Sequence, residues 1–455
     1  MRPASRPPMT LDMTRRAFGH AALAAWLSAG AAAEVGHASD ARAAATTAPR
    51  WRGDFPVLKQ TVNGHPLIYL DSAATTQRPA AVLEALLGYY RHDNANPGAA
   101  LHTLARRASE QYEGARRTLA EFINAFNASE VVWVRGTTEG INLVASAWAR
   151  PRLRPGDEVL LTVAEHASNL LPWRLVSEQT GASVQFVEVD EEGRIRLDDL
   201  DRKLSKRTRL VSFSHVSNVA GYINPASEIC ARARAAGARV LIDAAQSAPH
   251  IPLDVQSLGC DFLVFSGHKM LGPMGSGVLW ARLELLEEMS PYQSGSNMAH
   301  EIDLESQNFE HAALKFGAGT PNVSGAIGLA AAVDYLHTED RKAIECHETH
   351  LTQYALEQLT RISGLRLLGP RSATQRVPVF SFVLAGHGPA AVLRYLDTQG
   401  IAVRAGDLAA RPLLKSFGVS AAVRASCCLY TSTDEIDRLA AALAELTDSS
   451  TEASR

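Results

Sequence analysis

Short apolar runs alternate with helix-like segments along the chain from Trp51 onward. The runs at 131–134, 158–163, 209–218 and 239–246 each end at polar residues, and helical patterns lie between them. Continuous apolar strands separated by helices are typical of a parallel sheet that is covered by helices on both faces. The pattern therefore predicts an α/β fold with a mostly parallel sheet.

The pattern changes after Ser324. An alanine-rich helix and a second helix are followed by short strands and a final helix, at 325–336, 347–362, 377–384, 423–432 and 433–446. A mixture of this kind is typical of a smaller α+β domain. We therefore expect a large domain at 68–324 and a small domain built from 51–67 and 325–448.

The stretch 261–281, DFLVFSGHKMLGPMGSGVLWA, places one lysine between two apolar runs. The runs on either side of Lys269 predict two buried strands, where a charged ammonium is costly. Ligands of an open α/β sheet gather outside the carboxyl ends of its strands. The polar residues at those ends are therefore candidates for a site: Thr137, Thr138, His166, Asn218, Asp243, Gln246, Ser266, His268 and Lys269.

Together these side chains fit the chemistry of pyridoxal phosphate. Thr137 and Thr138 stand where a strand becomes a helix, so that N–H groups and hydroxyls face an anion such as phosphate. A protonated pyridine nitrogen would neutralise the buried carboxylate of Asp243, and His166 offers a flat ring for stacking. Burial disfavours the charged form of Lys269, which makes its amine a nucleophile able to form a Schiff base.

Each of these positions also has an ordinary structural explanation. A lone Asp or a Thr pair after a strand usually caps a helix, and a lone His is often a satisfied core residue. The whole set occurs along the chain in the order of a phosphate-binding threonine pair, a histidine ring, a carboxylate and a lysine. This combination favours pyridoxal phosphate over the separate structural explanations. We therefore expect pyridoxal phosphate as the cofactor.

Composition narrows the choice of partners. The 455 residues are 46% hydrophobic and 20% charged, and the formal net charge of -3 provides no basic field for nucleic acid or for an anionic membrane surface. The five cysteines have no C-x-x-C spacing. We therefore expect no metal site and no disulfide framework.

The first fifty residues form a separate segment. Arg15 and Arg16 precede Phe18 and a weakly apolar run at 21–33, which small residues follow. This layout resembles a twin-arginine export signal, and the apolar run is too short for a stable transmembrane helix. We expect residues 1–46 to be the signal and its linker, recognised by the twin-arginine translocase, and the protein to be periplasmic. The alternative is a disordered basic extension with a chance arginine pair.

Several segments resemble the class V aminotransferase family, most closely its group II cysteine desulfurases and selenocysteine lyases. They are VRGTTEGINLVA, AEHASNLLPW, HVSNVAGYINP, LIDAAQSAPH, the stretch around Lys269, FGAGTPNVSGAIGL and VRAS, within a match from about Ile68 to Leu446. The resemblance implies the pyridoxal-phosphate-dependent transferase fold of type I and a homodimer. This fold has a large domain with a mostly parallel sheet covered by helices, and a smaller α+β domain.

The resemblance also implies a role for each matching residue. Lys269 would form the Schiff base and His166 would stack on the ring. The other cofactor contacts would come from Thr137, Thr138, Asp243, Gln246, Ser266, His268 and, from the partner subunit, Thr320. Asn218 and Arg424 would hold the α-carboxylate of a small amino-acid or peptide substrate, which Arg404 would also contact.

Two positions depart from the family pattern. Desulfurases of this group have R-x-G-H-H-C-A where this chain has Arg404-Ala405-Gly406-Asp407-Leu408-Ala409-Ala410, so Ala409 stands at the position of the reactive thiol. The segment 96–104 lacks the usual His-Arg-Gly. Persulfide formation needs a sulfur nucleophile, which Ala409 cannot supply. Cys427 and Cys428 are the nearest candidates in sequence, and ordinary buried cysteines are the favoured interpretation for both.

The remaining apparatus would still form a Schiff base with an amino acid, remove its α-proton through Lys269 and draw electrons into the ring. We therefore expect a transferase or lyase that acts on an amino acid or an amino-acid moiety, and that tailors a secreted peptide such as a siderophore. One alternative is a cysteine desulfurase or selenocysteine lyase that uses an external acceptor. Another is a protein that binds the cofactor without catalysis.

Overall fold

A seven-stranded sheet organises the larger part of the chain. Its strands are β1 (Val131–Val134), β2 (Glu158–Thr162), β3 (Ser183–Val187), β4 (Thr208–Ser214), β5 (Arg239–Asp243), β6 (Phe262–Ser266) and β7 (Gly277–Ala281), in the spatial order β1-β7-β6-β5-β4-β2-β3. All strands run in one direction except β7, which is antiparallel to β1 and β6. The connection 267–276 is too short for a crossover, so β7 has to reverse direction.

The coordinates are a computed structural model that describes residues 49–98 and 102–453. The export signal predicted at 1–46 lies outside the described residues and stays a prediction. Among the described residues, no helix is long and apolar enough to cross a membrane.

Both faces of the large sheet are covered. Along β6, Leu263 and Phe265 belong to one hydrophobic core, and Phe262 and Val264 belong to another on the opposite face. Side chains of a strand alternate between faces, so two cores along one strand mean two layers of packing. The predicted α/β fold of type I is confirmed.

Helices and short strands complete the fold. The α-helices span Ala80–Gly88, Thr103–Phe122, Thr137–Leu143, Arg150–Arg152, Leu171–Thr180, Leu197–Lys203, Ala226–Ala235, Val255–Leu258, Leu283–Glu288, Val323–Thr338, Arg341–Thr360, Pro389–Thr398, Arg411–Ser416 and Thr433–Ala453. Three two-stranded sheets pair Thr61–Val62 with His65–Pro66, Ile68–Tyr69 with Ile401–Ala402, and Ala299–Ile302 with Gln307–Phe309. The described residues, 49–98 and 102–453, fall within one compact unit, so the predicted boundary near residue 324 stays a prediction.

A second, antiparallel sheet lies in the C-terminal part. It contains β8 (Leu365–Leu368), β9 (Val379–Leu384), β10 (Arg404–Gly406) and β11 (Ala422–Ser426), in the order β8-β9-β11-β10. The sequence predicted a strand through 432, which is wrong because β11 ends at Ser426. A turn follows, in which the Thr431 N–H donates to the Cys428 carbonyl at 2.8 Å and the Cys428 N–H donates to Thr431 Oγ1 at 3.1 Å.

Candidate active site

A cavity of about 480 Å³ opens at the carboxyl edge of the large sheet, beside the loop 404–409. This is where the topology of an open α/β sheet places a ligand. Eleven of the twelve predicted site residues line it: Thr137, Thr138, His166, Asn218, Asp243, Gln246, Ser266, His268, Lys269, Arg404 and Arg424.

Lys269 and Asp243 contribute opposite charges to this cavity. Lys269 follows β6 in a short turn, Gly267–Lys269, and burial lowers the pKa of its amine to about 8, against the opposing effect of Asp243. Burial raises the pKa of Asp243, while the Ala245 N–H at 2.9 Å and Lys269 lower it. In the described part of the chain, Lys269 Nζ makes no hydrogen bond. The amine is therefore available to react at mildly alkaline pH.

Hydroxyl groups cluster at one end of the cavity, where the helix Thr137–Leu143 begins. The Thr137 N–H and Thr137 Oγ1 each lie 2.8 Å from Ser266 Oγ, and Thr138 Oγ1 lies 2.8 Å from Ser168 Oγ. Burial, and to a smaller extent the charge of Lys269, lowers the pKa of His268 to about 4. The ring is therefore neutral and can donate one hydrogen bond. This donor set suits a phosphate group.

Two glycines allow the strands to meet at this end. Gly136 has a φ of 154°, which other residues rarely adopt, and a Cβ there would lie 3.0 Å from Ser266 Oγ. A Cβ on Gly277 would lie 2.6 Å from the Phe265 carbonyl oxygen and 2.7 Å from Gly136 Cα. Only glycine permits this approach, which brings Thr137 beside Ser266.

His166 and Gln246 suit a planar heterocycle. Burial, and to a smaller extent the charges of Lys269 and Arg424, lowers the pKa of His166 to about 4. The ring is therefore neutral and can stack on a heterocycle. Gln246 Nε2 donates to the Ala73 carbonyl at 2.7 Å, while its buried Oε1 has no partner among the described residues. An oxygen in that position needs a donor, such as a ring hydroxyl.

Arginines dominate the other end of the cavity. Arg424 is 3% exposed, its Nη1 donates to the Asn218 carbonyl at 3.0 Å, and its Nε has no partner among the described residues. Burial lowers the pKa of Arg424 to about 10, against the opposing effect of Asp71. A cation with a free N–H inside a cavity is suited to bind a carboxylate.

Asp71 is a site residue that the sequence reasoning missed. Its carboxylate accepts from Arg404 Nη2 at 2.7 Å and from Arg424 Nη2 at 3.5 Å, so it joins the two guanidinium groups. In the sequence, Asp71 is a polar residue directly after the apolar run 67–70. This is the same pattern that marked the other strand ends. Ser168 and Ser214 also line the cavity and were missed.

The loop that contains Ala409 is tied to the rest of the site. The Asn218 side-chain amide donates to the Leu408 carbonyl at 2.9 Å, and the Ala167 N–H donates to the Ala409 carbonyl at 2.7 Å. The amide nitrogen of Asn218 is thus engaged by the loop, and its predicted contact with a substrate stays a prediction. The loop presents a methyl group at Ala409 and a carboxylate at Asp407 to the cavity.

No cysteine lines the cavity among the described residues. Cys427 and Cys428 are each 2% exposed, and they belong to two different hydrophobic cores. Burial raises the pKa of both thiols. A raised pKa disfavours the thiolate that nucleophilic attack requires.

Thr320 lies apart from the other predicted residues. It lines a separate cavity with Arg135 and Tyr292, and its predicted role in the partner's site stays a prediction. Within the segment 96–104, the structure describes His102, whose Nδ1 accepts from the Ala105 N–H at 3.3 Å at the start of a helix. Leu101 lies outside the described residues.

The cavity residues fit pyridoxal phosphate. They provide hydroxyl donors at one end, a carboxylate and a neutral imidazole near the middle and an uncommitted amine. No group of three or more potential metal ligands occurs in the described ranges 49–98 and 102–453.

Comparisons with known proteins agree with this fit. A family described as aminotransferase class-V matches residues 68–439. The cysteine desulfurase of Synechococcus elongatus is 46% identical over 392 residues, which are 86% of this chain and 62% of that protein. A probable cysteine desulfurase of Halalkalibacterium halodurans is 46% identical over 389 residues, which are 86% of this chain and 95% of the relative.

Solved structures lead to the same group. The crystal structure of the cysteine desulfurase CsdA from Escherichia coli matches with a TM-score of 0.81 at 38% identity, covering 88% of this chain and 98% of that chain. This chain spans less than two thirds of the Synechococcus relative but nearly all of the other two proteins.

Proposed function

Because the chain belongs to the aminotransferase class-V family of pyridoxal-phosphate-dependent enzymes, we propose that it acts on the amino group of an amino acid or of an amino-acid moiety. The reaction is that of a transferase or a lyase. The observation that carries this proposal is the presence of an uncommitted amine, Lys269, and a buried guanidinium with a free Nε, Arg424, in one cavity.

The cofactor would be held along the length of the cavity. Thr137, Thr138, Ser266 and His268 would donate to the phosphate. Asp243 would pair with the pyridine nitrogen, with His166 on the ring face and Gln246 near the ring hydroxyl. When bound, pyridoxal phosphate supplies an electron sink for bonds to the substrate α-carbon. Thr320 of the partner subunit would complete the phosphate contacts in a homodimer.

The chain's own residues would divide the remaining work. Arg424, with Arg404 at the mouth, orients the substrate through its carboxylate, since a guanidinium offers several donors in one plane. Lys269 Nζ takes and returns a proton at the substrate α-carbon, which its lowered pKa permits near neutral pH. Asp407 and Leu408 line the same cavity.

Sulfur transfer to an enzyme thiol is not part of this proposal, because Ala409 supplies no nucleophile. Cleavage of a C–S or C–Se bond with an external acceptor is the second candidate, and the cysteine desulfurases among the relatives support it. Binding of the cofactor without catalysis is disfavoured because Lys269 and Arg424 are both retained.

The proposal includes location. The arginine pair Arg15 and Arg16, followed by an apolar run, supports export by the twin-arginine translocase to the periplasm. An exported enzyme with this cavity is suited to tailoring a secreted peptide such as a siderophore. This last step rests on the signal and on the absence of a thiol at 409.

A spectral screen tests the proposed function. The purified holoenzyme is mixed with a panel of amino acids and short peptides, and visible absorbance and products are followed. Ligands with a free amine and an α-carboxylate should change the spectrum of the wild type, and at least one should be turned over. Spectral changes without product for every compound would favour a binding protein, and sulfide release from cysteine would favour the second candidate.

A further inference from the structure

Glu165 is a buried carboxylate next to His166, and it does not itself line the cavity. It lies between β2 and His166 and is 2% exposed. Its Oε1 accepts from Thr162 Oγ1 at 2.5 Å, and its Oε2 accepts from Asn169 Nδ2 at 2.7 Å and from Ser214 Oγ at 2.8 Å. Its hydrogen bonds therefore come from neutral side chains.

No cation compensates this charge. Among the described residues, no Lys, Arg or His side chain forms an ion pair with Glu165, and the titratable group that acts on it is another acid, Asp243. Burial, with a smaller contribution from Asp243, raises the pKa of Glu165 to about 7, against the opposing effect of its three hydrogen bonds. An unpaired buried carboxylate is costly, so its retention calls for an explanation.

The network around Glu165 reaches the cofactor cavity on two sides. Ser214 lines the cavity and pairs with Asp243 in the register of β4 and β5. Glu165 is also the residue before His166. Asn169 is fixed in turn, because its Oδ1 accepts from Trp173 Nε1 at 2.9 Å. The carboxylate is thus held in one position relative to the cavity floor.

The geometry permits both protonation states of Glu165. When it is ionised, Thr162 Oγ1 donates to Oε1. When it is neutral, a proton on Oε1 can be donated to Thr162 Oγ1, which already accepts from the Ala164 N–H at 3.1 Å and has a second lone pair. Ser214 Oγ can likewise accept a proton carried by Oε2, so two hydroxyl groups can accommodate the neutral form.

We propose that Glu165 is a positioning residue that couples its own ionisation to cofactor binding. A cofactor ring with a protonated nitrogen, held beside Asp243, would place a positive charge near Glu165 and would favour its carboxylate form. Glu165 would then release its proton to solvent when the cofactor binds. By linkage, the carboxylate form binds that ring more tightly than the neutral form does.

The test compares wild type with Glu165→Gln, which keeps the shape and removes the titration. The dissociation constant of pyridoxal phosphate is measured by equilibrium dialysis at pH 6 and pH 8.5, with the visible absorbance of the bound cofactor. The dissociation constant of Glu165→Gln divided by that of the wild type should be roughly tenfold higher at pH 8.5 than at pH 6. A factor of this size is expected for two charges in a partly screened interior. The matched control Glu178→Gln, an exposed position on the next helix, should show a constant ratio.

A second variant keeps the proposal testable if Glu165→Gln does not fold. Ser214→Ala removes one donor to the ionised form, so the midpoint of the pH-dependent change should move to higher pH. A ratio for Glu165→Gln that does not vary with pH, or an unchanged midpoint for Ser214→Ala, would overturn the proposal and leave Glu165 with a purely structural role.

Discussion

Replacement of Arg424 by Lys tests how the cavity recognises a substrate carboxylate. Two of the five N–H donors of a guanidinium are engaged here, one by the Asn218 carbonyl and one by Asp71, and the remaining donors include the free Nε. Lysine retains the positive charge but cannot reproduce this planar arrangement. The change therefore isolates the geometry of the interaction from its charge.

The expected loss follows from these contacts. A hydrogen bond to a charged group contributes about 1.5–3 kcal/mol. Losing one of a pair of hydrogen bonds between Arg424 and the substrate carboxylate should therefore cost about 2 kcal/mol, or roughly thirtyfold in affinity. The loss should be confined to ligands that carry a carboxylate. Pyridoxal phosphate itself should bind normally, because Arg424 is not among the residues that would hold the cofactor.

The assay is a spectral titration of the holoenzyme with cysteine and with cysteamine, which differ by the α-carboxylate. In the wild type cysteine should bind more tightly than cysteamine, and Arg424→Lys should remove most of this difference while changing cysteamine affinity by less than about threefold. Arg196→Lys is the matched control, since its exposed side chain pairs with Asp198 away from the cavity. Equal losses for both ligands would refute the assignment of Arg424.

The other predictions concern the lysine, the loop and the signal. Lys269→Ala should remove the borohydride-reducible linkage between the protein and pyridoxal phosphate. In the unaltered apo-protein, the rate at which this linkage forms should rise with pH around 8, because only the neutral amine reacts and burial lowers its pKa to about 8. A rate independent of pH would contradict this. Incubation with cysteine should give no persulfide on any cysteine in tryptic mapping. Ala409→Cys alone should not restore transfer, because the nearby carboxylate of Asp407 would raise the pKa of the new thiol. Robust turnover of the unaltered protein with a persulfide on Cys427 or Cys428 would show that a buried cysteine reaches the cofactor. Residues 1–50 should export a folded reporter to the periplasm, and the double change of Arg15 and Arg16 to Lys should retain it inside, whereas export by the double variant would exclude a twin-arginine signal.

The cofactor end of the site was predictable from sequence because it depends on topology. Parallel strands end at one edge, so polar residues after apolar runs, such as Thr137 and Asp243, had to converge. Asp71 obeys the same rule but was missed, because its partners Arg404 and Arg424 lie more than 300 residues away along the chain and no local pattern indicates that contact. Glu165 was missed because its burial is visible only once β2 and β4 are packed together.

The loop around Ala409 is better explained by retained function than by decay. Leu408 and Ala409 both have positive φ values, 51° and 52°, which cost about 1 kcal/mol each for residues other than glycine. Asp407 offsets this cost, since its carboxylate accepts from the Ala409 N–H at 3.0 Å and pairs with Arg411 at 2.7 Å. A loop with no remaining role would be free to relax, whereas this one holds a strained turn as a wall of the cavity. A loop held in this way agrees with the proposal of a catalytic site that has no thiol at 409.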